Sequence, residues 1–245
     1  MSIDLKTFQS AFYNPNINQV EKVRPLKAMN KIFGELNTVS RVSVFNPNEI
    51  TTELKNKLGK VLGRETFYLE DSSKKSTGCL ISVEPEYRKK GYGLGEILRL
   101  SSIIMMLENC VKNFEIYSKN SAIFFHALYK FEPNISQFKE RDEVLESVIT
   151  NCKNNGSKYD QIREEAEALL EEAHEDKTPE RQRELCVHTN ALLSRYINKI
   201  LETKNEYLSH PFKTGIFMKL TDKSIKENKE FFNDLLEKHQ IDYRI

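Results

Sequence analysis

Apolar positions along this 245-residue chain change period several times. In "RPLKAMNKIFGEL" (24–36), Leu26, Met29, Ile32, Phe33 and Leu36 recur at helical spacing, and Pro25 suits a helix start. The first 40 residues as a whole read as helical and mixed. "RVSVFN" (41–46) alternates like a short strand, and "NEITTELKNKLGKVLG" (48–63) reads as a helix closing near Gly63. Two strand-like runs follow, "ETFYLED" (65–71) and "TGCLISV" (77–83), joined by a polar hairpin connection, "SSKKS". Leu94, Ile97, Leu98, Ser101, Ile104, Met105 and Leu107 trace a helix buried on one side. "FEIYS" (114–118) is a further strand, and "SAIFFHALYKF" (121–131) a short amphipathic helix rich in aromatics. This order predicts an α/β or α+β sheet core over residues 40–131.

After "EPN" the pattern becomes helical, from 140 to about 208. Val144, Leu145, Val148 and Ile149 share one face of a first helix. Ile162, Ala166, Leu169, Leu170 and Ala173 do so in a second, whose opposite face is strongly acidic. Thr178 and Pro179 start a third, which carries Leu185, Leu192, Leu193, Tyr196, Ile200 and Leu201. Strand character returns at "GIFMKL" (215–220), and a last amphipathic helix is expected over 223–239. The predicted organisation is a core of residues 1–139 plus 209–245, with 140–208 as an inserted helical subdomain.

Composition narrows the classes of function. Hydrophobic residues at 39% and charged residues at 30% suit a globular protein with much solvated helix. A net charge of +1 gives no global attraction to nucleic acid or anionic membrane, and Arg88, Lys89 and Lys90 alone make a small basic footprint. Neither nucleic acid nor membrane is therefore expected as a partner. No apolar run approaches the roughly 18 residues of a membrane span. The start "MSIDLKTFQSAF" lacks the layout of a secretory signal, so a soluble, cytoplasmic protein is expected. Cys79, Cys110, Cys152 and Cys186 form no CxxC pair and read as reduced thiols. The histidines have no metal-ligand spacing, so no metal is expected.

The chemistry concentrates in "PEYRKKGYGLGEILRL" (85–100). Three of the chain's nine glycines, Gly91, Gly93 and Gly95, stand within five positions, behind Arg88, Lys89 and Lys90 and at the mouth of a helix. The first amides of a helix lack partners inside it, and the macrodipole adds about half a positive charge there. Glycines let an anion approach those amides closely. The Walker pattern is absent, and the spacing G-x-G-x-G with Glu96 does not give a dinucleotide fingerprint.

Val83, Pro85, Arg88, Gly91 and Gly93 form V-x-P-x-x-R-x-x-G-x-G, which resembles the acetyl-CoA signature of the GNAT superfamily, the Gcn5-related N-acetyltransferases. A second segment, "AIFFHALYKFEP", resembles that family's A-I-x-L-Y-x-K-x-G-F helix through Ala122, Ile123, Phe131, Glu132 and Pro133. The resemblance covers residues 77–133 and departs from the family at three places. His126 stands where Tyr is usual, Lys130 where Gly is usual, and Lys119 where Asn is common, with Asn120 one step on.

The resemblance implies a mixed, mostly antiparallel central sheet flanked by helices, with the helical insertion before the last strands. It implies an N-acetyltransferase that uses acetyl-CoA as co-substrate and an amine as acceptor, in a finer reading the amine of a protein or peptide. Ile81 to Val83 would pair with the pantetheine arm. The backbone of Lys89, Lys90, Gly91, Tyr92, Gly93 and Leu94, with Arg88 and Asn120, would hold the rest of the cofactor. Glu84 is the candidate base; His126 is a candidate base or proton donor to the thiolate; Tyr129 is a candidate for the family tyrosine's role. Packing between aromatics is the alternative for His126 and Tyr129, and a solvated surface position that for Glu84. The alternative for the whole chain is a catalytically inactive module of this fold that binds CoA or a protein partner through the helical insertion.

Overall fold

The computed structural model describes residues 23–70, 74–88, 91–120, 122–203 and 209–245; the start of the chain before residue 23 and the pair Lys89–Lys90 lie outside them. In chain order the strands are β1 (Lys27–Asn30), β2 (Gly34–Val42), β3 (Glu49–Asn56), β4 (Val61–Glu70), β5 (Lys75–Val83), β6 (Asn113–Ser118), β7 (Glu132–Pro133) and β8 (Ile216–Thr221). The helices are α1 (Leu94–Glu108), α2 (Ala122–Leu128), α3 (Phe138–Asn155), α4 (Asp160–Glu175), α5 (Pro179–Glu202), α6 (Asp222–Glu227) and α7 (Lys229–Lys238). The architecture is mixed α and β, and the pairings β1·β2, β2·β3, β3·β4, β4·β5 and β7·β8 are all antiparallel. The chain divides into two compact units, 1–114 with 221–245, and 115–220.

The first unit corrects two helical expectations. Residues 25–36 form β1, a turn and the start of β2. The apolar residues at helical spacing there belong to different surfaces: Leu36 is fully buried, whereas Met29 and Ile32 are 40% and 54% exposed. Asn30 decides the outcome locally. Its Oδ1 accepts from the Ile32 and Phe33 amides at 2.9 and 3.2 Å, and Gly34 follows at φ +68°. That is an Asx-type turn, which competes with the helix for the same amides. Residues 48–63 likewise form β3, a turn and the start of β4. Ile50, Thr52 and Leu54 are buried at period two, while Leu58 is 92% exposed on the turn. Asn56 Oδ1 accepts from the Leu58 and Lys60 amides, and Gly59 sits at φ +78°. Of the strands expected at 65–71 and 77–83, residues 65–70 lie in β4 and 77–83 in β5, while Asp71 lies outside the described residues.

α1 packs over β3, β4 and β5, with Leu94, Ile97, Leu98, Ile103 and Met106 almost fully buried. Gly63 allows the close approach, because a Cβ there would stand 3.0 Å from Leu98 Cδ1 and 2.9 Å from the Ser82 carbonyl. The helix expected at 223–239 is two helices, α6 and α7, broken at Asn228, whose side-chain amide donates to the Ser224 carbonyl.

In the second unit the strand order is β6-β8-β7. α3, α4 and α5 pack on one another where the apolar spacing predicts three helices, and α5 also contacts α2 and β7. α2 ends at Leu128, short of the expected 131. Among the described residues no helix is long and apolar enough to cross a membrane.

Candidate functional site

β5 ends at Val83 and the chain stays extended through Glu84. Pro85–Tyr87 then makes one tight 3-10 turn, with Pro85 at its first position. The turn is fastened from outside. Lys60 Nζ lies 2.9 Å from Glu86 Oε1 and 5.1 Å from the Tyr87 ring centroid. Tyr87 and Glu86 hold the Lys60 ammonium well above the usual lysine range, and Lys60 in turn holds the Glu86 carboxyl low.

Beyond the turn, Arg88 is exposed and its Nε donates to the Val83 carbonyl at 2.6 Å. Gly91 is exposed at φ +91°, with nothing within 4 Å of where a Cβ would be. Gly93, at φ +68°, is the N-cap of α1, and its carbonyl accepts from the Ile97 amide at 3.1 Å. Both glycines use the left-handed region, which is costly for a residue with a Cβ. The first turn of α1 thus opens behind two residues without side chains, the arrangement an anion needs to reach helix amides. Leu94, at the first helical position, turns its side chain into the core.

Five residues that local pattern did not reveal frame this opening. Asn30 Nδ2 donates to the Tyr92 carbonyl at 2.7 Å, so the β1–β2 turn holds the glycine segment. Phe33 from the same turn packs edge-on against Tyr87 and Tyr92, at 5.3 and 5.5 Å. Glu96, in the first turn of α1, faces Lys238 and His239 from the end of α7. Lys238 Nζ donates to Glu96 Oε1 at 2.6 Å, and His239 Nε2 lies 2.5 Å from the same oxygen. His239 is buried, its Cε1 would be 3.1 Å from a Cβ on Gly93, and its carbonyl accepts from the Met29 amide. The acidic side chain beside this opening is thereby matched by cationic and polar partners. The only sequence-level signal was Asn30 four residues before Gly34; nothing local connects Glu96 with a histidine 143 positions away.

The remaining candidates fall in both units. In the first, Ile81 and Val83 are half-buried on β5. Glu84 faces Arg64, with Nη1 and Oε1 3.6 Å apart. In the second, Asn120 stands at φ +51° just before α2, and its carbonyl accepts from the Ile123 amide. His126 is buried on α2, its ring 5.1 Å from Phe125 and 5.7 Å from Phe131. Tyr129 is buried beside Phe125, ring centroids 5.0 Å apart. The structure brings Ile81, Val83, Glu84, Arg88, Gly91, Tyr92, Gly93 and Leu94 together in one unit, and Asn120, His126 and Tyr129 in the other. Among the described residues no group of three His, Cys, Asp or Glu side chains could hold a metal ion.

No protein-family model and no curated protein matches the chain. Solved structures do match part of it. Tetrahymena Gcn5 is 17% identical, with 38% of this chain and 57% of that one covered and a TM-score of 0.34. A GNAT family acetyltransferase from Elizabethkingia anophelis, with acetyl-CoA bound, is 19% identical, with coverage of 38% and 62% and a TM-score of 0.32. The PaiA N-acetyltransferase of Thermoplasma acidophilum, in complex with coenzyme A, is 16% identical, with coverage of 37% and 55% and a TM-score of 0.31. The likeness is to GNAT acetyltransferases. The chain spans less than two thirds of the length of each of these structures. At such values the likeness carries nothing about activity, which has to come from the site.

Proposed function

We propose that the chain is an N-acyltransferase that moves an acetyl group from acetyl-CoA to an amine, in the narrower reading an amine of a protein or peptide. The observation that supports this most is the paired left-handed glycines, Gly91 and Gly93, the second capping α1 directly after a strand end and Arg88. A diphosphate needs close, uncrowded backbone N–H groups, and this is where the chain offers them. The V-x-P-x-x-R-x-x-G-x-G spacing adds the extended segment Ile81–Val83 as the partner of a peptide-like pantetheine arm.

In the reaction the acceptor nitrogen forms a bond to the thioester carbon, the carbon–sulfur bond breaks, and one proton leaves the nitrogen. A lysine-type amine has a pKa of about 10.4, so a base is needed; Glu84 is assigned that role. The backbone N–H of Val83 is assigned to the carbonyl oxygen as negative charge builds on it. The departing thiolate, with a thiol pKa of about 8.5, leaves fairly well unaided, which makes its protonation the least demanding step. His126 or Tyr129 is assigned that last proton.

The test is release of free CoA thiol from acetyl-CoA with a panel of lysine peptides and small amines. Acceptor-dependent release is expected, with loss of at least tenfold in Glu84→Gln and of all turnover in the pair Arg88→Glu with Gly93→Asp. Acetyl-CoA binding with no turnover on any amine would favour the inactive module instead.

A further inference from the structure

One face of the sheet in the first unit carries a row of charged side chains that ends on Glu84. Strand register sets the row: Val39 stands opposite Glu53, Glu53 opposite Arg64, and Arg64 opposite Ser82. Side chains two positions apart along a strand share a face. Arg41 and Lys55 therefore join Glu53 and Arg64. Glu84 follows Ser82 on the same face, and its amide still donates to the Leu62 carbonyl of β4. The opposite face holds Ile50, Leu54 and Phe67, all buried.

Three cations on this face share one carboxylate. Glu53 Oε2 lies 2.9 Å from Lys55 Nζ and 3.8 Å from Arg41 Nη2, and Oε1 accepts from Arg64 Nε at 3.2 Å. Lys55 above all, with Arg64 and Arg41, holds the Glu53 carboxyl below the usual carboxylate range, so Glu53 counts as a full negative charge. Glu49, also on this face of β3, lies four residues or about 13 Å further along and accepts from the Tyr68 hydroxyl at 3.0 Å. Arg64 reaches on to Glu84, with Nη1 and Oε1 3.6 Å apart. In the transfer proposed above, Glu84 is taken up by the proton of the acceptor's nitrogen. Arg41, Lys55 and Arg64 against Glu53 alone then leave two positive charges beside it.

Arg41 is the most open of the three. Its side chain is 69% exposed, and its 3.8 Å contact is longer than a hydrogen bond. Exposed ion pairs of this kind add little to stability, so the fold does not call for the surplus of cations. A second ammonium on the acceptor would be repelled here. A carboxylate would be attracted, and the planar guanidinium fork matches its two oxygens.

We propose that the acceptor is an amine carrying a carboxylate a few bonds from its nitrogen, with the nitrogen at Glu84 and the carboxylate on Arg41 and Arg64. The inference rests on the acyltransferase reading and narrows it, since polycationic amines are disfavoured. Free amino acids with a distal amine and protein lysines flanked by acidic residues share this chemistry.

Turnover is read as free CoA thiol released with matched acceptors: 4-aminobutyrate against n-butylamine, and blocked Glu-Lys-Glu against blocked Arg-Lys-Arg. The acidic member of each pair is expected to have at least tenfold higher kcat/KM, with the ratio shrinking as salt is raised. Arg41→Glu is expected to bring the ratio to one or invert it. A higher kcat/KM for Glu-Lys-Glu than for 4-aminobutyrate would assign the site to protein lysines, and the reverse order to free amino acids. Binding is read separately, from the Nε–Hε signals of Arg41 and Arg64 in NMR of the full chain. Saturable shifts are expected with 4-aminobutyrate and none with n-butylamine. Absence of turnover with every amine would sink the acyltransferase reading; absence of those shifts would overturn the present proposal whether or not any amine is turned over. So would an equal or higher kcat/KM for n-butylamine or Arg-Lys-Arg with the native chain, or an unchanged ratio in Arg41→Glu.

Discussion

Lys130 closes α2 in the left-handed region, at φ +65°. The Phe131 amide donates to the His126 carbonyl and the Lys130 amide to the Ala127 carbonyl, the two bonds of a Schellman cap. This is a position built for glycine and occupied by lysine. Lys130→Gly is expected to raise stability by about 1 kcal/mol, measured by urea unfolding. A loss of stability would show that the lysine side chain contributes more than the backbone strain costs. The opposite change at Gly93 should destabilise. Gly93→Ala meets both φ +68° and the His239 ring at 3.1 Å, and is expected to cost about 1–2 kcal/mol. Glycines were legible in the sequence because they report directly on backbone conformation. The cap at Lys130 was legible only as a departure from a family pattern, since a lysine carries no mark of its φ.

At the scale of elements, the start of α1 is held by parts distant in sequence. Asn30 satisfies its own turn through Oδ1 and the glycine segment through Nδ2, so Asn30→Asp separates the two tasks. That variant keeps the acceptor but loses the donor to Tyr92. It is expected to destabilise by about 1 kcal/mol and to weaken acetyl-CoA binding several-fold by calorimetry. Full retention of affinity would mean that the β1–β2 turn does not support the site. Lys238→Met removes a countercharge from Glu96 beside the proposed anion site, and should weaken acetyl-CoA binding by about threefold to tenfold, more at low salt. Periodicity located α1 and α3 to α5 because each has a continuous apolar stripe. It failed over 25–36 and 48–63, where a side-chain oxygen of Asn30 or Asn56 diverts the amides into a turn, and where Met29, Ile32 and Leu58 are apolar yet solvated. The clamp of Glu96 by His239 was beyond local pattern altogether, because only the folded chain brings those positions together.

At the scale of the whole molecule, one buried pair sets a pH dependence. Arg99 Nη1 donates to Glu65 Oε1 at 2.9 Å, and both side chains are 2% exposed. Burial pushes the Glu65 carboxyl up to about 7, against the opposing pull of Arg99. The folded state therefore binds a proton more tightly than the unfolded chain does between about pH 4.5 and 7. Stability should fall as pH rises through that window and level off above it. Glu65→Gln should flatten the fall; an unchanged slope in denaturation curves from pH 4.5 to 7.5 would assign the effect elsewhere. Thermal unfolding with acetyl-CoA, ATP or NAD shows whether the glycine opening at α1 takes the diphosphate of a CoA ester. At a hundred times its dissociation constant a ligand adds about 2.7 kcal/mol, or roughly 5–10 °C for a chain of this size. A shift of that order is expected with acetyl-CoA, none comparable with ATP or NAD, and its loss in Arg88→Glu with Gly93→Asp. No shift with acetyl-CoA in a folded sample, or an equal shift with all three ligands, would contradict it.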